Sequence, residues 1–523
     1  MTTAVPPKAG TREWIGLSVL AIACILYTMD LTVLHLAVPH ISADLQPTSV
    51  ELLWIIDIYG FFVAGSLITL GNLGDRIGRR RLLLIGAVTF ALTSVLAAFS
   101  TSAEMLIVSR ALLGVSGATI APSTLSLIRN MFHDPNQRTA AIGVWISSFS
   151  AGAAVGPLVG GVLLQYFWWG SVFLIAVPVM GALLVLGPRL LPEFKDPQAR
   201  RLDVASAALS LAAILALIYG VKVLAQDGWQ LQSALFVAAG VALGIVFLRR
   251  QRKLENPLVD LRLFRLPTFN AALMTYLLGV LAAFGVLLFI SQYLQLVLGL
   301  SPLEAGLWML PWALAFVVGS TLTPRIVRRI RPIPVIAGGL VVAALGFGLL
   351  VQIDESTSFL FLAAGLVISS LGLAPVFTLA TDIVVGSAPP ERTGAASAIS
   401  ETTGELGGAL GIAVLGSVGT ALYRTELGRT VPAGVPPEAQ EAAQHTLAGA
   451  TEVAGQLPGD IGSLLLEAAR SSFIHGLQLS IIISVAVVAV AAVLVYATLR
   501  NVRSGSEQSD IASDGAREPE PDR

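Results

Sequence analysis

Charge is scarce in this chain. Only 12% of its 523 residues are Asp, Glu, Lys or Arg, about half the share of a soluble globular protein, and 55% are hydrophobic. A mean hydropathy of +0.79 means more apolar surface than a soluble fold of this length can hide. Cysteine is nearly absent: Cys24 stands alone, which excludes an intramolecular disulfide, and no metal cluster is expected. A nucleotide loop of the form G-x-x-x-x-G-K-[ST] is also missing, so uphill work has to draw on an ion gradient, with no cofactor. The net charge of −1 says nothing of partners, and no nucleic-acid partner is expected.

Apolar runs are what the chain has in abundance. Runs of roughly twenty residues, each long enough for a ~30 Å hydrocarbon core, recur from Trp14 to Leu499. They predict an all-α polytopic membrane protein. The first run is too long for a cleaved signal peptide and carries Asp30. Fourteen spans are expected, near 15–38, 51–72, 82–100, 104–127, 138–164, 169–188, 203–223, 231–249, 268–298, 303–325, 332–352, 358–384, 390–423 and 473–499. The N-terminal tail, the even-numbered loops and the C-terminal tail hold 27 of the 32 basic residues, while loops 39–50 and 353–357 hold none. This bias predicts both termini in the cytoplasm. Residues 424–472 then form the one long external loop. Its segments 436–454 and 459–472, parted by Leu457-Pro458-Gly459, predict a small helical hairpin, with a disordered loop as the alternative. The tail after Arg503 is rich in Ser, Asp, Glu and Pro, a disordered composition.

A charge inside a span costs at least ~2.5–3.5 kcal/mol, so each one calls for a reason. Asp30, Asp57, Arg110, Glu401 and Glu405 are the exceptions read from the sequence. Asp57 and Arg110 lie at similar depth, so an ion pair of Arg110 with Asp57 or Asp30 is expected. Glu401 and Glu405 fall near the midplane of span 13. At ~100° per residue, Glu405 sits near +40° from Glu401, Gly408 near −20°, Gly404 near −60° and Gly411 near −80°. Small residues on such a stripe serve close helix packing or leave room for a guest. Packing has no use for the acids. Two like charges ~6 Å apart in a low-dielectric site cannot both ionise cheaply, so the pair is expected to titrate together and hold a proton. The alternative, acids locked by basic partners, runs short of bases, since only Arg110 is deep in a span.

Several stretches resemble one family. Gly71-Asn-Leu-Gly-Asp-Arg-Ile-Gly-Arg-Arg-Arg81 is similar to the major facilitator signature between spans 2 and 3, Arg110–Gly117 to its span-4 motif, and Gly152-Ala-Ala-Val-Gly-Pro-Leu-Val-Gly-Gly161 to the span-5 antiporter motif. Asp30–Pro39 and Ser301–Gly306 resemble segments of the fourteen-span drug:proton antiporters, of the QacA/SmvA/LfrA type of multidrug exporter, which also carry paired acids in span 13. The resemblance implies the major facilitator fold: two six-helix bundles around a central cavity, plus two inserted helices. The domains would then be an N-tail (1–14), a first bundle (15–188), a linker with two extra helices (189–250), a cytoplasmic loop (251–267), a second bundle (268–499) and a C-tail (500–523). It also implies alternating access and proton-driven export of lipophilic cations from a bacterial cytoplasmic membrane, by a chain expected to act as a monomer. Asp30, Asp57, Arg110, Glu401 and Glu405 would couple protons. Gly71, Gly74, Asp75, Arg76, Gly78, Arg79 and Arg80 would form a conformational latch, with ordinary topology signalling as the plainer reading. Gly152, Gly156, Pro157, Gly160 and Gly161 would form the antiporter motif, with a simple kink as its plainer reading. The loop after span 10 lacks the equivalent acid, and span 10 has no internal acid of the kind some relatives carry.

An aromatic cation is held by π faces near carboxylates. Besides Glu401, Glu405 and Asp57, the candidates are Tyr59, Trp145, Phe149, Phe289, Gln292, Trp308, Trp312, Phe316 and Phe377; for each aromatic, lipid contact or packing is the plainer reading. Trp54, Trp168, Trp169 and Trp229 are expected at the membrane interface. Export of a neutral or anionic product, and import of a nutrient by symport, remain alternatives.

Overall fold

The structure, a computed structural model, describes residues 8–47, 49–195, 203–227, 230–254, 257–259, 261–355, 357–388 and 393–499. Every regular element among them is helical. The first bundle comprises α1 (Thr11–Leu45), α2 (Ser49–Ile77), α3 (Arg79–Ala98), α4 (Ala103–Gly117), α5 (Ile120–Met131), α6 (Pro135–Tyr166), α7 (Ser171–Leu174) and α8 (Ala176–Leu190). An inserted pair follows, α9 (Val204–Asp227) and α10 (Leu231–Gln251). The second bundle comprises α11 (Pro267–Gln292), α12 (Pro302–Val327), α13 (Pro332–Leu350), α14 (Phe359–Gly386), α15 (Thr393–Thr430), the short α16 (Pro437–His445) and α17 (Leu447–Ala454), and α18 (Gly459–Leu499).

The local chemistry explains where these helices begin. Proline, which has no N–H to lose, opens α6, α11, α12, α13 and α16. Side-chain oxygens of Ser102, Asp134, Ser301, Ser358 and Thr446 cap free backbone N–H groups at α4, α6, α12, α14 and α17. Twelve helical segments among the described residues are long and apolar enough to cross a membrane. The expected spans over 51–72 and 203–223 fall on α2 and α9, which are not among the twelve, although α9 holds the apolar stretch Ala205–Val221.

Span 4 is found as one apolar segment, Ala103–Met131, with an interruption at Ala118–Thr119 that divides it into α4 and α5. Pro122 has no N–H to offer the Ala118 carbonyl, so the regular ladder cannot pass this point. The stretch 424–472 is shorter as a loop than expected: α15 runs on to Thr430, and the second hairpin arm is the start of α18. The first arm breaks at Thr446, whose extended backbone caps α17. α16 and α17 pack on each other and on α15 and α18. Among the expected interfacial tryptophans that are described, only Trp168 is exposed. Trp169 is buried and donates to Asp44 Oδ2 (2.7 Å); Trp54 stacks on Tyr219 of α9 (5.8 Å). Trp229 and the tail 500–523 lie outside the described residues.

Each bundle has a continuous helix-to-helix core, and they meet along two seams. On one, α6 packs against α12; on the other, α15 packs against α2 and α5. The inserted α9 lies over the second seam, touching both α2 and α15, and is backed by α10. The basic helix ends also gather at one end of the molecule. There Arg12 donates to Arg189 O (2.7 Å), Arg80 to Leu191 O (3.0 Å), Arg138 pairs with Asp382 (2.9 Å) and Arg250 with Asp203 (2.8 Å).

Candidate functional site

Glu401 and Glu405 project from α15 one turn apart, both half-buried, with no basic partner and no hydrogen bond among the described residues. They lie within electrostatic reach of each other. Tyr27 of α1 and Tyr276 of α11 feel both carboxylates, and Tyr59 of α2 feels Glu405. The acids therefore stand on the second bundle, within electrostatic reach of tyrosines of both. The glycine stripe beside them serves packing. A Cβ on Gly404 would stand 3.0 Å from the Tyr276 hydroxyl, one on Gly407 2.9 Å from Leu277 O, and one on Gly411 would strike Leu281 O. α15 is thereby drawn onto α11, with the acids on the flank that is left over.

Arg110 belongs to a different site. It is fully buried on α4, paired with Asp30 Oδ2 of α1 (2.5 Å), and donates through Nε to Ile55 O of α2 (3.2 Å). Its guanidinium carbon lies 4.7 Å from the centre of the Tyr59 ring and 5.9 Å from that of Phe173. Of the two expected pairings, Asp30–Arg110 is the one formed. The side chain of Asp57 lies outside the described residues. A buried ion pair of this kind cross-ties α1, α2 and α4 and is unavailable to the acids on α15.

Two rows of aromatic rings include these tyrosines, one in each bundle. In the first, Tyr59 meets Tyr27 (6.2 Å), Tyr27 meets Phe149 (5.9 Å), and Phe149 meets Trp145 (4.7 Å). In the second, Tyr276 meets Phe377 (5.3 Å), Phe377 meets Phe316 (5.5 Å), and Phe316 meets Trp312 (5.6 Å). Six expected residues, Tyr59, Trp145, Phe149, Trp312, Phe316 and Phe377, are thus brought together. Trp145 is buried at the far end of its row, its indole N–H on Thr124 Oγ1 (2.9 Å). Others go elsewhere: Phe289 is buried against Phe473 of α18, and Trp308 stacks on Phe359 at the start of α14. Gln292 is half-buried near the end of α11. Tyr27 and Tyr276 were missed, although each is a polar aromatic in an otherwise apolar run and Tyr27 is three residues from Asp30.

The stretch 71–81 folds into the α2–α3 corner. Gly78 takes φ +111°, and a side chain there would collide with Glu193. Arg79 pairs with Asp75, its Nε donating at 2.8 Å, and both are buried. Arg80 donates to Pro188 O and Leu191 O, while Gly71 and Gly74 are buried and Arg76 is exposed. These bonds of Arg79 and Arg80 tie elements of the first bundle to one another. Contacts across the bundles come from residues the sequence reading passed over. Arg138 Nε and the Thr139 hydroxyl both donate to Asp382 of α14 (2.9 and 2.8 Å), and Asn72 Nδ2 of α2 donates to Leu258 O in the loop 251–267 that leads into the second bundle (2.7 Å). Asp382 fell within the expected span 12, an acid in a span with no stated reason, and that was the signal.

In 152–161, α6 is continuous and packs lengthwise on α1. A Cβ on Gly152 or Gly156 would collide with Ile25 O or with Thr32 Oγ1, whereas one on Gly161 would meet nothing within 4 Å; Gly160 is buried. The backbone of Pro157 lies within the helix, and its side chain lies outside the described residues.

Comparisons with known proteins agree with this architecture. A family model described as Major Facilitator Superfamily matches residues 20–412. The chain is 43% identical to the multidrug efflux pump LfrA of Mycolicibacterium smegmatis, over 94% of this chain and 97% of that protein. It is 36% identical to the methyl viologen resistance protein SmvA of Salmonella typhimurium, over 90% of this chain and 95% of that one. The fold is similar to that of a bacterial homologue of the human lysosomal transporter Spinster, solved inward-facing and unoccupied: TM-score 0.56 at 17% identity, covering 94% of this chain and 99% of that one.

Proposed function

This chain belongs to the Major Facilitator Superfamily, and from that premise we propose that it is a proton-coupled antiporter exporting lipophilic cations. That it is a membrane transporter of the drug-efflux kind, and not an enzyme, follows from the family and the relatives. The finer reading rests on one observation: two carboxylates without a basic partner among the described residues, half-buried on α15 and within electrostatic reach of tyrosines that belong to an aromatic row in each bundle. A planar cation would lie against the rings and face the acids; the arriving positive charge displaces protons from the pair. Glu405 meets the cation, and Glu401 shares its proton. Resistance to methyl viologen in SmvA is consistent with cationic substrates.

In the cell, α2 and α9 complete fourteen spans, both termini are cytoplasmic, and the chain works as a monomer in the inner membrane without a cofactor. The bonds of Asp382 and Leu258 across the basic end support reading this state as closed to the cytoplasm. One proton crossing ~100 mV plus one pH unit releases about 3.7 kcal/mol. A monocation leaving against an inside-negative potential takes ~2.3 kcal/mol of that. More than one proton per cycle is therefore favoured, and two neighbouring acids can supply it.

The test uses inside-out vesicles acidified by respiration, challenged with mono- and divalent lipophilic cations, with wild type, Glu401→Gln and Glu405→Gln. Cation-evoked proton release is expected in wild type and lost in Glu405→Gln. Release that survives both substitutions would remove the carboxylates from the mechanism, and release evoked only by neutral compounds would replace the cationic reading.

A further inference from the structure

On the membrane-facing flank of the first bundle, far from the acid pair in the fold, α3 and α8 enclose a groove of about 510 Å3. Its walls are mainly apolar: Leu84, Ile85 and Val88 from α3, Leu184 and Pro188 from α8, with Thr89, whose hydroxyl is turned to Ile85 O and Gly86 O of its own helix. Ile85 and Val88 are 45% and 41% exposed, and the same flank of α3 continues apolar and exposed through Leu92 and Leu96. Three charged residues stand at the basic end of the groove, Arg80, Arg81 and Glu193.

Their bonds separate them. Arg80 is committed to α8, donating to Pro188 O (3.2 Å) and Leu191 O (3.0 Å), with Glu193 3.6 Å away. Glu193 is committed to the first turn of α3, accepting the backbone N–H groups of Arg80 and Arg81 (3.2 Å each). Arg80 and Glu193 cancel in charge. The Arg81 guanidinium is exposed and makes no hydrogen bond or ion pair among the described residues. On α3, Arg81, Ile85 and Val88 are spaced i, i+4 and i+7, so one helix face carries a free cation at its end and an apolar trough below it.

That juxtaposition has the polarity of one kind of molecule. A guanidinium at headgroup depth matches a phosphodiester, which it binds through paired N–H donors. An apolar trough open to the bilayer matches an acyl chain. We infer that the α3–α8 groove binds one anionic phospholipid, its phosphate on Arg81 and a chain along Ile85 and Val88. The site depends on the chain spanning a membrane and not on what it exports.

The test is native mass spectrometry of the purified full-length protein, titrated with phosphatidylglycerol or with phosphatidylcholine of the same chains. Wild type is expected to retain one phosphatidylglycerol more firmly than phosphatidylcholine. Arg81→Gln should lower that retention about fivefold, the factor equivalent to the ~1 kcal/mol typical of one basic residue at an anionic membrane surface. Val88→Trp, which fills the trough without touching charge, should lower retention of both lipids at this position. Arg328→Gln, an exposed arginine of the other bundle, should change nothing. Equal phosphatidylglycerol retention in wild type, Arg81→Gln and Val88→Trp would overturn the site. Displacement by glycerol phosphate at the lipid's own concentration would overturn the lipid and leave a soluble phosphate site. Thermal unfolding and elution of each variant identify any loss due to misfolding, and the two unlike substitutions keep the result decisive if one fails to fold.

Discussion

Removing the Asp382 charge should open the basic end of the molecule. Asp382 accepts from Arg138 Nε at 2.9 Å and from the Thr139 hydroxyl at 2.8 Å, so two donors of α6 hold one carboxylate of α14 across the bundles. The side chains are 23% and 14% exposed. That is too sheltered for the near-zero worth of a surface pair, yet wet enough to discount a buried one. Charge-assisted hydrogen bonds run ~1.5–3 kcal/mol, and partial exposure points to the lower end, ~1.5 kcal/mol. Asp382→Asn should therefore shift the balance between closed and open forms about tenfold towards open. The sole native thiol, Cys24, is buried, so spin labels can be placed on Asn130→Cys and Ser387→Cys in a Cys24→Ala background. Pulsed electron paramagnetic resonance should show the α5–α14 separation moving to longer distances in Asp382→Asn. The exchanged pair Arg138→Asp with Asp382→Arg should recover the short distance. An unchanged distribution in Asp382→Asn, or an exchange no better than either single change, would refute the reasoning.

Other outcomes follow from the same geometry. Gly156→Ala should lower thermal stability in detergent by ~1–3 kcal/mol, because its Cβ collides with Thr32 and lies 3.2 Å from Met29 O, while Gly161→Ala, with nothing within 4 Å, should be neutral. Asp30→Ala should cost ~3–5 kcal/mol by stranding the buried Arg110, read as loss of folded protein on heating; Asp30→Glu should cost less. A hydrogen bond from Ser206, and then Arg250, holds the Asp203 carboxyl below its usual 3.8. Its contribution is thus present above that pH and lost as pH falls through the lowered value. A small difference in melting temperature between wild type and Asp203→Asn should persist from pH 5 to 8 and vanish only in stronger acid.

The sequence made the spans legible because hydrocarbon thickness sets run length, and it exposed the acids of α15 because a carboxylate in a span stands out against apolar neighbours. Arg110 and Asp30 were legible as a possible pair for the same reason. Azimuth was harder to read. Phe289 and Trp312 look alike in a run of apolar residues, yet one packs on α18 and the other continues the row from Tyr276. Which neighbour a ring meets depends on the rotation of each helix about its axis, which all-round hydrophobic helices do not encode in their periodicity. The cross-bundle bond of Asp382 was passed over because the residue sits at a span end, where an acid looks like a loop residue. The interruption at 118–119 had its sign in Pro122, four residues on.

The two aromatic rows belong to different bundles, while both acids ride on one. If the bundles rock, Glu401 and Glu405 keep their distance from Tyr276 and change it from Tyr27. The arrangement is that of a vice with its charge in the fixed jaw and half its grip in the moving one. A flat guest clasped between the jaws would lose one ring face when they part, while the carboxylates beside it stay where they were. Withdrawal of the opposite wall would then loosen the guest, and protons returning to the two carboxylates would complete its release.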